Sequence, residues 1–140
     1  MTTSIDSNII VALWLQDDPL NGIAAKMLNQ ARKQGKLVIA APVYAELMGD
    51  PSRTETGLNE FFRDTGILVD WTLDEKAWRE AGRAYQGYVQ RRRSGNGTLL
   101  RRILTDFLIG AHAKVRGYSL LTLDQRLYAA AFPALPIIPV

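Results

Sequence analysis

Leu37-Val-Ile-Ala-Ala-Pro-Val-Tyr-Ala-Glu-Leu47 joins an apolar run directly to a proline-started helix. Its first four residues are an uninterrupted apolar run, of the kind that fills a parallel strand covered on both faces. Pro42 then opens a helix, where its missing N–H would have no partner anyway. A strand running straight into a helix is the repeating unit of layered α/β folds. This helix carries one acid, Glu46, on the same half as Val43 and Leu47 and therefore toward the core. A carboxylate in that setting needs a compensating charge, hydrogen bonds or a proton.

Working outward, the same unit recurs. Ile5 and its neighbours form a short first strand, followed by a helix through Ile9, Ile10, Leu13 and Trp14. Asp18-Pro19 reads as N-cap and first position of the next helix, whose apolar positions run from Leu20 to Ala31 at helical spacing before Gly35. Gly49-Asp-Pro51 breaks the Glu46 helix. A helix near Glu55–Asp64 leads through Gly66 into the strand Ile67–Val69, and Asp74 caps a longer helix. Its expected inner face is Ala77, Trp78, Ala81, Ala84, Tyr85, Tyr88 and Val89. Arg91–Gly97 reads as a basic loop, and Thr105-Asp106 begins a helix that runs to Arg116 and ends at Gly117. Tyr118–Leu121 is a strand, Asp124 caps a last helix, and Pro136–Val140 adds a proline-flanked edge strand. The expectation is one α/β domain over residues 1–140, with a central, mostly parallel sheet of four to five strands flanked by helices.

The chain has 140 residues, 47% of them apolar and 22% charged, which are ordinary globular values. No apolar run approaches the ~18 residues of a membrane span, and Met1–Asp6 carries no export signal. A cytoplasmic protein is expected. Cysteine is absent, which excludes disulfides, zinc–thiolate sites and thiol catalysis. The net charge of +3 and pI of 9.4 permit a polyanionic partner.

Four acids stand where apolar segments begin or end: Asp6, Glu46, Asp106 and Asp124. Taken singly, Asp106 and Asp124 read as helix caps and Asp6 as a turn residue. Taken together, they belong to the strand C-termini and adjoining helix starts, where parallel α/β sheets gather ligands. Clustered carboxylates repel, and without a cation at least one takes up a proton. Mg²⁺ or Mn²⁺ resolves this with oxygen ligands, and the chemistry it supports is phosphodiester hydrolysis by a metal-activated water.

These residues resemble a family. Asp6-Ser7-Asn8, Glu46, Asp106 within Asp-Phe-Leu-Ile-Gly-Ala-His-Ala113, and Thr122-Leu-Asp124 are similar to the acidic motifs of PIN-domain ribonucleases, and in particular of VapC toxins of type II toxin–antitoxin modules. The resemblance covers essentially the whole chain. It implies a PIN-like three-layer sandwich, a Mg²⁺ or Mn²⁺ site, cleavage of an RNA substrate, a homodimer and a VapB-like antitoxin partner. It makes Asp6, Glu46, Asp106 and Asp124 the metal-centred catalytic acids, with Ser7 and Thr122 as supporting hydroxyls. One departure is a first strand, Thr2-Thr-Ser4, more polar than the family's.

Arg91, Arg92, Arg93, Arg101 and Arg102, with Arg79 and Arg83, concentrate positive charge ahead of the Asp106 helix. They suit phosphate contact along an RNA path, a solvated helix end, or an acidic antitoxin segment. Gly95-Asn-Gly97 lacks the lysine and spacing of a P-loop and reads as a turn. His112 reads as a packed core residue, and Trp78, Tyr85 and Tyr88 as core or dimer contact. Two further functions fit the same fold: an RNA-processing nuclease without an antitoxin, and a binding module without activity. A phosphoacceptor receiver domain fits less well, because no lysine falls beside the acids.

Overall fold

The computed structural model describes residues 1–94 and 104–139. Its sheet has four parallel strands in the order β3-β2-β1-β4: β1 (Thr2–Ile5), β2 (Lys36–Ala40), β3 (Leu68–Asp70) and β4 (Ser119–Leu121). Helices α1 (Ser7–Trp14), α2 (Asn21–Gln34), α3 (Ala41–Leu47), α4 (Glu55–Thr65), α5 (Glu75–Ser94), α6 (Leu104–Arg116) and α7 (Gln125–Ala131) supply the connections. This is the expected α/β sandwich.

The strand-to-helix stretch folds as read. Leu37 to Ala40 are all buried, and Pro42 stands in the first turn of α3. The N-terminal strand is polar, yet Thr3 and Ser4 are as deeply buried as its isoleucine, because β1 lies between β2 and β4 with helices over both faces. Thr54 caps α4 by accepting from the Gly57 N–H, and Asp74 caps α5 by accepting from Ala77. Gly66 and Gly117 end α4 and α6 with φ of 73°, a left-handed turn that costs glycine little.

Several expectations are corrected. Helix α2 begins at Asn21, not at Pro19. Asp18 instead closes a turn onto the Leu20 N–H, and Asn21 donates to the Ala12 and Leu13 carbonyls, serving the open end of α1. Arg91–Arg93 form the last turn of α5 rather than a loop, since arginine is a good helix former and cations suit a helix C-terminus. The rest of that expected loop, with Arg101 and Arg102, lies outside the described residues. Trp78 is half exposed rather than core. The C-terminal edge strand contracts to one parallel bridge, Leu120 to Ile137, where Pro136 and Pro139 leave few N–H groups to extend pairing.

Candidate active site

From β1 the chain winds to β2 and β3 on one side and later returns to place β4 on the other. The C-terminal end of β1 is therefore the switch point of the sheet, where adjoining crossovers diverge and leave a crevice. Asp6 follows β1 directly, with its N–H on the Leu121 carbonyl of β4. Thr122 follows β4, and α3 with Glu46 follows β2.

Asp6 is 3% exposed and occupies the N-cap position of α1, yet its side chain caps nothing. Instead, Oδ2 accepts from the Thr122 hydroxyl at 2.8 Å. That proton has one place to go. The Thr122 oxygen already receives the Asp124 backbone N–H at 3.0 Å and the Asn8 amide at 3.3 Å, which fills its two acceptor positions. Asn8 also accepts from the Leu123 N–H at 3.1 Å, so it ties the start of α1 to the β4–α7 turn.

On the other side of Asp6, the Ser7 hydroxyl donates to Glu46 Oε1 at 3.0 Å and lies 3.4 Å from Asp6 Oδ1. One hydroxyl proton serves only one of the two carboxylates. Burial raises the Asp6 carboxyl from its ordinary value, against hydrogen bonds from Thr122 and Ser7 and the nearby Tyr128 hydroxyl, which pull it down. Burial also raises Glu46, opposed by its Ser7 bond and reinforced by the negative charges of Asp6 and Asp106. Beneath them lies the buried Tyr128 phenol, pushed far up by burial and then by Asp6, Asp106 and Glu46. Its hydroxyl is close enough to Asp6 to help hold the charge, although no contact there has full hydrogen-bond geometry.

Three of the four expected acids thus converge electrostatically. Asp106 reaches the site from the first turn of α6, whose next seven residues are all buried. Glu46 is half-buried, at the rim of its helix rather than within the core. Asp124, half-buried at the N-cap of α7, is placed by its N–H on Thr122. Ser7 and Thr122 both touch the acids. Asn8 and Tyr128 are the partners for which the sequence reading assigned no role. Asn8 lay within the quoted motif, whereas Tyr128 sits in an alanine-rich helix with no signal of its own.

The basic residues divide. Arg79 pairs with Glu75 at 2.8 Å and Arg83 with Glu80 at 2.8 Å, so both are engaged on their own helix. Lys114 near the end of α6 meets Glu80 near the start of α5 at 2.5 Å, while Phe107 at the other end meets Tyr85 and Tyr88. The two helices are therefore antiparallel, and Arg91–Arg93 lie toward the Asp106 end of the pair. His112 is buried as expected, and its Nε2 lies 2.8 Å from Asp70 Oδ2, which Arg116 also approaches at 3.4 Å. Asp70 also closes a turn: its other oxygen accepts from the Thr72 N–H.

The donor set fits a hard divalent cation. It consists of carboxylate and hydroxyl oxygens, and among the described residues no lysine or arginine is among the groups shifting Asp6 or Glu46. As the side chains stand, no three acids or histidines among the described residues form a closed cage. Mg²⁺ does not require one, because it keeps several waters and uses one or two carboxylates.

The PIN domain family matches residues 4–133, and the chain belongs to that family, whose members are nucleases. Solved structures with the same fold include VapBC-1 from nontypeable Haemophilus influenzae, at 19% identity over 99% of this chain and 97% of that one, with a TM-score of 0.68. VapBC2 from Rickettsia felis, bound to a DNA fragment from its promoter, gives 19% identity over 99% and 98%, with a TM-score of 0.66. FitAcB from Neisseria gonorrhoeae gives 17% over 98% and 96%, with a TM-score of 0.67. No curated protein sequence gives a significant match.

Proposed function

We propose that this chain is a single-domain, divalent-metal-dependent endoribonuclease and the toxin of a type II toxin–antitoxin module. The observation that carries this reading is the meeting of Asp6, Glu46 and Asp106 at the switch point of the sheet, where burial raises Asp6 and Glu46 and the charges of Asp6 and Asp106 raise Glu46 further. Asp6, Glu46 and Asp106 would hold Mg²⁺ or Mn²⁺, with Asp124 reaching in from the rim. The bound ion would stabilise phosphate charge and lower the pKa of a water for in-line attack.

The chain's own residues have distinct tasks. Thr122 fixes one Asp6 oxygen, so the other is left for an ion or water. Ser7 steadies Glu46 beside Asp6. Arg91–Arg93 lie where an RNA strand leaving the Asp106 end would meet them, and phosphate contacts of this kind position a strand without reading its sequence. The same reading makes the protein a cytoplasmic homodimer with a small VapB-like antitoxin. The support for that partner is the likeness to solved VapBC and FitAB assemblies.

The test is cleavage of RNA with Mg²⁺ or Mn²⁺ by wild type, Asp6→Asn and Asp106→Asn. Each substitution is expected to cut the rate by about 10²–10³-fold, the scale seen when one transition-state charge stabiliser is removed. Metal-dependent cleavage that survives both would refute the site. Growth arrest on expression, relieved by a small neighbouring protein, separates a toxin from an RNA-processing nuclease.

A further inference from the structure

A second charged site lies away from the acids. Trp14, Ser52, Arg53, Thr54, Gly57, Leu58 and Phe61 line a cavity of about 180 Å³. Arg53 dominates it chemically. Its guanidinium carbon sits 3.9 Å above the Trp14 ring, and Phe61 meets that ring edge-on with centroids 5.2 Å apart. The stack fixes the guanidinium plane, so little freedom remains to be lost on binding. Yet its Nε is buried with no hydrogen-bond partner. Asp50 Oδ2 forms a long ion pair with Nε at 4.0 Å, too far for a hydrogen bond, and its other oxygen is held by the Ser52 N–H and hydroxyl. A buried donor without an acceptor costs free energy that a bound acceptor would recover. The Thr54 oxygen accepts from the Gly57 N–H, which leaves its proton to donate.

We propose that this pocket binds a phosphate group of the RNA strand that runs into the acid site; the inference rests on the nuclease reading. Several features favour a compact oxyanion. The volume is small, Arg53 already lies over the Trp14 ring, and the open groups are donors. A guanidinium edge matches phosphate in a two-point contact. The position fits the same strand. Helix α1 has eight residues, a rise of about 12 Å. Its first residue, Ser7, touches Glu46 and its last, Trp14, walls the pocket, so the phosphate lies about one helix length from the cut. Asp50 disfavours an anion, but its side chain is more than half exposed, so solvent screens its repulsion.

The experiment measures binding of a labelled single-stranded RNA in EDTA, where no cleavage occurs, across a salt series. Wild type is compared with Arg53→Gln, which keeps the stem on Trp14, and Arg53→Lys, which keeps the charge but not Nε. The expected result is five- to tenfold weaker binding for Arg53→Gln, with a salt slope smaller by about 0.7, the value for one single-strand phosphate. Arg53→Lys should retain the slope but not the full affinity. With metal present, Arg53→Gln should raise KM and leave kcat near wild type. Inorganic phosphate should quench Trp14 emission in a Trp71→Phe, Trp78→Phe background and lose that effect with Arg53→Gln. Unchanged RNA affinity and slope in a folded Arg53→Gln protein would overturn the proposal, as would a defect confined to antitoxin binding. Wild type that cleaves RNA alongside an unaffected Arg53→Gln defeats this pocket alone. Wild type without metal-dependent cleavage defeats the nuclease reading itself.

Discussion

The Thr122 hydroxyl donates to Asp6 Oδ2 across 2.8 Å because a backbone N–H and an amide N–H already occupy its acceptor side. A residue after β4 thereby dictates which oxygen of a residue after β1 remains available. Replacing Thr122 with valine keeps the shape and removes the donor. It also strands the Asn8 amide and the Asp124 N–H. We expect a loss of about 1–3 kcal/mol in urea unfolding, the cost of leaving buried polar groups unpaired, together with reduced cleavage. Thr122→Ser should restore both.

Asp6 should cost the metal-free protein stability. Its carboxyl is raised above the ordinary 3.8 by burial. Below that value both folded and unfolded states hold the proton and there is no penalty. As pH rises past it, the unfolded chain ionises first, so folding must retain a proton or bury a charge, and stability falls until the folded group has also titrated. Asp6→Asn in EDTA should therefore gain on wild type from about pH 4 upward, reaching about 1–2 kcal/mol near neutrality, while losing cleavage. Denaturation of both proteins across pH measures the difference. Asp70 provides the opposite sign. Burial would raise it, but hydrogen bonds from His112 and Thr72 and the charges of His112 and Arg116 prevail and hold it below its ordinary value. Its contribution is present at neutral pH and is lost as pH falls, so Asp70→Asn should be most destabilising near pH 7.

Glu46 is the acid that Ser7 holds beside Asp6, and it is raised by the very charges a cation would neutralise. Saturating Mn²⁺ should raise the unfolding temperature of wild type, since a ligand at 100 times its Kd adds about 2.7 kcal/mol. Glu46→Gln should start out equal or more stable without metal and gain markedly less from it. A thermal-shift titration with and without EDTA reads both effects. Equal Mn²⁺ responses would remove Glu46 from the metal site.

Gly110 lies one helical turn after Asp106 on α6. A Cβ there would stand 2.2 Å from the Phe132 ring. Gly110→Ala must push α6 from the segment after α7 or displace a buried ring, an overpacking cost of about 1–3 kcal/mol. Because α6 carries Asp106, cleavage should fall further than stability alone accounts for. Urea unfolding and initial rates on the same preparation separate the two effects.

The legible parts of the fold share one property: short-range physics decides them. Leu37–Ala40, Pro42, Asp74 and the glycines that end helices act within a few residues, and elements built on them fall where the pattern puts them. The errors have a common cause as well. Asp18-Pro19 has the local signature of a helix start, but Asn21 is needed by carbonyls of α1, so the helix begins later. Trp78 follows the apolar spacing of α5 yet faces outward, because spacing says which residues share a face and not whether another element covers it.

The α/β alternation, the family and the acids at segment ends are legible without any spatial neighbour, since each depends on local pattern and order along the chain. The tertiary structure decided what those acids do to one another. Residues 6, 46, 106 and 122 meet only because parallel crossovers bring distant strand ends to one edge, and the charges of Asp6 and Asp106 act on Glu46 through that closure. It also decided the roles of Asn8, Tyr128 and Arg53. A hydrogen-bond partner, a buried hydroxyl beneath a carboxylate and a guanidinium Nε without a hydrogen-bond acceptor are all properties of neighbours in space, which no window of sequence contains.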